Sequence, residues 1–154
     1  MKKKIVLLAC LCTLSNIFAQ GIKKESREKI KALKIAYITN QLDLTADEAE
    51  KFWPIYNDYE QKKSVLLYKT RTQMRNAIKK NGEIDALSEK EAKKLISSKL
   101  DSDKKLYELQ SNFLLKIKKI ISYKKIIKLQ ISEIDFTRKL MKRYKRKRES
   151  NINN

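Results

Sequence analysis

Glycine stands only at positions 21 and 82 and proline only at 54 in this chain of 154 residues. Folds rich in tight turns need many more residues that tolerate positive φ or interrupt a hydrogen-bond ladder. The chain is therefore confined to long helices with few connections. No segment sustains a two-residue apolar alternation, so strands are not expected. Apolar spacing predicts four helices. The first covers about 24–41, with Ile30, Leu33, Tyr37 and Ile38 inward. The second covers about 46–80, through Phe52, Tyr56, Tyr59, Leu66, Met74 and Ile78. The third covers about 88–120, through Ala92, Leu95, Leu106, Leu109, Phe113 and Ile117, and the fourth about 123–147, through Ile126, Ile127, Ile134, Leu140 and Met141. Residues 149–154 read as a frayed tail.

The second helix has the most tightly specified start. Thr45 is followed three residues later by Glu48, the spacing at which each side chain bonds the other's backbone N–H in a capping box. Leu44 and Ala49 occupy hydrophobic-staple positions, and Asp47, Glu48 and Glu50 place negative charge at the positive end of the helix dipole. Ser88 and Glu91 repeat the device, so Leu44-Thr45-Ala46-Asp47-Glu48-Ala49 is echoed by Leu87-Ser88-Glu89-Lys90-Glu91-Ala92. Pro54 lies about two turns into the second helix, where it removes a ladder bond and crowds the preceding turn. A kink is expected there, because the apolar face continues on both sides.

Charge alternates along the second and third helices. Residues 43–60 carry six acids and one base, and 61–81 carry seven bases and no acid. Residues 82–103 carry six acids and four bases, and 104–121 carry five bases and one acid. An antiparallel hairpin about Gly82 would set each acidic start beside the other helix's basic end. A helix of about 35 residues is roughly 50 Å long, whereas a compact globule of this size is about 36 Å across. An elongated monomer with too little buried surface is expected, with dimerisation as the remedy.

The N-terminus reads as an export signal: Lys2, Lys3 and Lys4, an apolar run from Ile5 to Leu14, and a cleavage site after Ala19. The run is too short to span a bilayer. A lipoprotein at Cys10 would leave only five apolar residues before the cysteine, and is disfavoured. Cys10 and Cys12 would leave with the signal, so residues 20–148 are expected to form one helical domain in an extracytoplasmic compartment without disulfides.

The formal net charge is +19, and removing Lys2, Lys3 and Lys4 would leave +16. Most of the bases are lysines, flexible point charges suited to diffuse attraction more than to one bidentate anion site. The absence of histidine and the loss of both cysteines rule out the usual nucleophilic triads and zinc sites. Two glycines cannot build a phosphate-cradling loop. No catalytic residue, metal or cofactor is expected, and the acids near Thr45 read as helix-start charges.

Leu42-x-Leu44-Thr45, opening a long helix after a shorter one, resembles the first LTxxQ-type motif of the Spy/CpxP-like periplasmic proteins, with Glu48 or Ala49 where glutamine is usual. The second motif of that family is expected where the third helix turns into the fourth. That place reads Ile121-Ser122-Tyr123-Lys124-Lys125, with Ile for Leu, Ser for Thr and Lys for Gln. The stretch FWPIYNDYE and the ending EIDFTRKLMKR resemble a branch often labelled sensors of extracytoplasmic-function sigma factors. The resemblance implies an all-α protein, a bent four-helix hairpin forming a cradle-shaped antiparallel homodimer in the periplasm. Relatives include an ATP-independent chaperone that holds unfolded clients, and an accessory inhibitor of an envelope-stress sensor kinase.

Two readings of the residues stay open beside it. Phe52, Trp53, Tyr56 and Tyr59 read most simply as core or dimer-interface anchors, with client contact as the alternative. Lys62, Lys63, Lys69, Arg71, Arg75, Lys79 and Lys80 form either an inert solvated face or a surface for unfolded or acidic proteins. The run Lys142 to Arg148 has charge suited to phosphate, but export disfavours nucleic acid. Anionic lipid is the better partner for it.

Overall fold

The computed structural model describes residues 28–152; the expected signal segment, and residues 153–154, lie outside the described residues. Four helices and no strand occur among them: α1 over 28–42, α2 Ala46–Asn81, α3 Glu89–Ile117 and α4 Tyr123–Ile152. The fold is all-α, as the scarcity of breakers requires. α3 ends earlier than expected, because residues 118–120 tighten into a turn in which the Ile120 and Ile121 N–H groups both donate to the Ile117 carbonyl. α4 continues past Lys147 to Ile152, so helix covers 149–152 of the segment expected to fray. α2 runs unbroken through Pro54. The ring is exposed, so the carbonyl it leaves without a helical partner can turn to water.

Helix ends follow local chemistry. Thr45 and Ser88 both make the full reciprocal capping box. α2 stops at Gly82, which takes φ 88°, a backbone state that side-chain-bearing residues rarely adopt. Asp43, between α1 and α2, also has positive φ, at 50°. Aspartate is among the few residues that enter this region readily.

The chain packs as two compact units. One comprises 44–127, essentially the α2–α3 hairpin and the start of α4. Tyr59 stacks on Phe113 at 4.2 Å, Thr70 and Ser102 hydroxyls lie 2.8 Å apart, Ser98 donates to Gln73 at 3.0 Å, and Lys80 lies 3.6 Å from Glu91. Partners on α3 retreat as α2 advances, so the hairpin is antiparallel. Its seam changes character along its length. At one end Phe52, Tyr56, Phe113, Ile117, Ile121 and Ile126 are buried, and Tyr56 packs edge-on against Phe113 at 6.0 Å. From Thr70 towards the turn, hydroxyl, amide and charged pairs are interspersed with the half-buried Met74, Ala77, Ala92 and Leu95, and Ser102 is buried.

The other unit comprises 28–43 with 128–152. Tyr37 packs on Phe136 at 5.8 Å and Lys34 pairs with Glu133 at 3.5 Å. Lys139 donates to the Tyr37 hydroxyl at 3.1 Å. Ile38, Leu42 and Leu129 are buried, as is Ser132.

Several residues expected inward are not. Leu33 is exposed, and so are Ile127, Ile134 and Met141 of α4, while Ile78 sits at the margin. In α4 the buried side is set by Ile126, Leu129, Ser132 and the half-buried Phe136 and Leu140. Ser132 breaks the apolar pattern on that side, and the exposed isoleucines supply a competing one.

Phe52→Ala should lower the free energy of unfolding by about 3–5 kcal/mol, since Phe52 is fully buried. Tyr68→Ala, on a side chain 72 % exposed, should change it by less than about 0.5 kcal/mol. Urea denaturation followed by far-ultraviolet circular dichroism distinguishes them, and equal losses would contradict this packing.

Candidate functional site

Three helices begin with an apolar residue followed by a hydroxyl. In α2 the Thr45 hydroxyl accepts from the Glu48 N–H at 3.2 Å, and the Glu48 carboxylate accepts from the Thr45 N–H at 2.9 Å. In α3 Ser88 and Glu91 do the same, each at 3.3 Å. In α4 the Ser122 hydroxyl accepts from the Lys125 N–H at 3.3 Å, with Ile121 buried before it. Lysine cannot return the bond. Its ammonium instead donates to the Glu48 carboxylate at 2.6 Å, with both side chains only 22 % exposed. Glu48 and Lys125 each stand three residues after a capping hydroxyl, so the clasp joins the starts of α2 and α4.

This clasp sets the local electrostatics. The bond from Lys125 and the Thr45 N–H hold the Glu48 carboxyl below its ordinary range, against the opposing effect of burial. Glu91 is lowered as well, first by the Ser88 hydroxyl and backbone, and less by Lys80. A lysine in the first turn of α4 is set against the helix dipole, and Glu48 offsets that cost.

The aromatic residues Phe52, Trp53, Tyr56 and Tyr59 form one cluster beside the clasp. Phe52 stacks on Tyr56 at 5.4 Å, and Trp53 meets each edge-on, at 5.1 Å from Phe52 and 5.3 Å from Tyr56. Phe52 and Tyr56 are buried, while Trp53 and Tyr59 keep partial exposure. The first pair are core anchors, and Trp53 and Tyr59 hold part of their surface outside it.

The candidate bases of α2 do not share one face. Lys62 and Lys69 border a shallow groove between α2 and α3, opposite Lys105, over a floor that includes Leu66 and Leu109. Lys63 folds against its own helix, paired with Glu60 at 2.8 Å and lying over the Tyr59 ring at 5.2 Å. Arg71, Arg75 and Lys79, spaced four apart, form a separate exposed stripe. Among the described residues no ion pair engages these three, whereas Lys62 pairs with Asp58 at 2.7 Å. The groove also carries Asp58, Asp101 and Glu108, so its walls are mixed in charge and the undiluted positive stripe lies away from it.

Sequence reasoning missed Lys105, Glu108 and Leu109 as groove residues. The signal was available: a turn between Asn81 and Ser88 fixes an antiparallel register that sets Leu109 opposite Lys62. Apolar side chains also stand exposed on the hairpin, among them Val65 (59 %), Leu67 (45 %) and Ile96 (56 %). Among the described residues no cluster of three or more metal-ligating side chains occurs, and no helix is long and apolar enough to cross a membrane. No protein-family model, curated protein or solved structure matches the chain.

Glu48→Gln should cost about 1–2 kcal/mol at neutral pH by leaving Lys125 without its anion, and Lys125→Glu should cost at least as much. Combining Glu48→Gln with Lys125→Gln should recover much of the loss, because two neutral amides can bond each other. A double-mutant cycle in urea measures this coupling, and additive losses would mean the clasp carries no energy. The pH dependence has a definite sign. A carboxyl lowered in the folded state stabilises above its ordinary value of 4.5 and loses that contribution as pH falls through the lowered folded value. Glu48→Gln should therefore flatten the acid limb of stability and leave the alkaline limb unchanged.

Proposed function

We propose that this chain is a Spy/CpxP-like periplasmic protein that binds unfolded proteins without ATP, as a homodimer. The observation that supports the reading is the intermixing of exposed apolar and basic side chains on the hairpin. Val65, Leu67 and Ile96 stand exposed on helices that also carry Lys62, Lys69 and the stripe Arg71, Arg75 and Lys79. A large net positive charge attracts acidic or unfolded chains quickly and reversibly. Lysine stems lie along apolar surface with their ammonium groups in water, so contact can be weak and tolerant of sequence. The chemistry needs no bound nucleotide and no catalytic side chain, which accords with a chain lacking histidine. The caps at Thr45 and Ser122, joined by Glu48 and Lys125, lie at the two places where the resemblance expects its motifs.

The test is light scattering of an acidic, aggregating client with the purified chain at near-stoichiometric ratio. Suppression should be strong at low salt and fade towards 1 M, where the screening length falls to about 3 Å. Leu67→Ser with Ile96→Ser should weaken it severalfold at all salt concentrations. Arg71→Glu with Arg75→Glu should weaken it chiefly at low salt. A chain that suppresses nothing at any salt, yet binds a single envelope protein tightly, would be a dedicated regulator of stress signalling and the holdase reading would fall.

A further inference from the structure

Within 128–148 of α4, buried and exposed sides are both apolar, which a helix packed on one side only does not require. Leu129 and Ser132 are buried and Phe136 and Leu140 half-buried. Across the helix, Ile131, Ile134 and Met141 are 55 %, 60 % and 62 % exposed. Positions 131, 134, 138, 141 and 145 step by three and four, so these three side chains form one line with Arg138 and Lys145. Lys128 and Lys142 flank it, both exposed. The segment carries nine bases against two acids. Glu133 is engaged by Lys34 at 3.5 Å, and Asp135 lies 3.5 Å from Arg138. Just beyond, Lys145 lies 3.9 Å from Glu149, a loose and exposed pair.

We propose that this face of α4 docks on a membrane surface of anionic phospholipid, with Ile131, Ile134 and Met141 entering the headgroup boundary and the flanking bases on phosphate. Charge decides between occupants. A second copy set on the same face would bring two strongly positive segments together, which is repulsive. An anionic surface is attracted by all of them, each Lys or Arg near the surface strengthening binding about fivefold. Shape agrees: positions 131 to 145 extend about 21 Å along the helix, a footprint matching an amphipathic helix lying in the interface plane. Tyr144, 47 % exposed, sits at the line's edge, where amphipathic rings favour the headgroup level. The basic run 142–148 thus gains a neighbouring apolar stripe that composition alone does not reveal.

The experiment is co-sedimentation of the full chain with vesicles of equal phosphatidylglycerol and phosphatidylcholine, against phosphatidylcholine alone, at low salt. The N-terminus is read by mass spectrometry, so that every variant is compared in the same processed form. The chain should pellet with the anionic vesicles only. Ile131→Ser with Ile134→Ser, and separately Lys142→Glu with Lys145→Glu, should each weaken partitioning by about tenfold or more. Tyr68→Ser on the hairpin should not, and circular dichroism should stay unchanged in all, since every altered side chain is exposed. Failure to pellet with anionic vesicles overturns the proposal, as does undiminished pelleting of the isoleucine variant. A dimer in sedimentation equilibrium that the isoleucine substitutions dissociate would assign the face to a second copy and overturn it too.

Discussion

The contact between Glu48 and Lys125 fixes where two long helices begin relative to each other. A helix of 36 residues has a weakly determined start unless capping specifies it, because each unsatisfied N–H at its first turn is indifferent to register. Thr45 and Ser122 fix the starts of α2 and α4 within the chain, and the ion pair at 2.6 Å fixes them in space. The aromatic cluster then packs in the first turns of α2, where Phe52 and Tyr56 fall on the inward side because the cap has set the phase. A shift of α2 by one residue against its neighbours would turn its inward side by about 100° and carry those rings out of the core.

From that end the hairpin loosens. Stacked rings give way to the Thr70–Ser102 hydroxyl pair, then Gln73 with Ser98, then Lys80 near Glu91. Polar seams define register well, since a shifted hydroxyl loses its partner, but they bury little apolar surface and so contribute little net stability. The part of the hairpin nearest Gly82 is therefore where local opening costs least. It is also where Arg75 and Lys79 stand, beside the marginal Ile78.

Much of this was legible in the sequence, for reasons that differ by residue. The caps were legible because a hydroxyl and a carboxylate three residues apart have one good local use. Hairpin pairing was legible because Asn81-Gly82 stands between two long apolar-periodic segments whose charges are complementary when antiparallel. The inward side of α4 was not. Ile127, Ile134 and Met141 have the periodicity of a core stripe, and so do Ile126, Leu129 and Leu140 on the other side; periodicity cannot say which of two apolar stripes meets the protein. Nor could the α2 bases be assigned to faces by composition, since Lys62 and Lys63 are neighbours in sequence, yet Lys62 borders the groove and Lys63 folds over the Tyr59 ring. The pairing of Glu48 with Lys125 joins positions 77 residues apart, which no local spacing rule reaches.

The distribution of acids explains why so much positive charge stays available. Glu48 and Glu91 are committed to helix caps, and both carboxyls are held ionised by their partners. Asp58, Glu60 and Asp103 pair with bases three or four residues away on the same helix. Carboxylates placed this way are local structural elements, each meeting one base beside it. Arg71, Arg75 and Lys79 have no such pairing among the described residues, and they stand exposed on a helix that also exposes Val65 and Leu67. Exposed bases and exposed apolar side chains recur together on α2, α3 and α4, and the proposed reading assigns that combination to surfaces that receive something anionic and partly apolar.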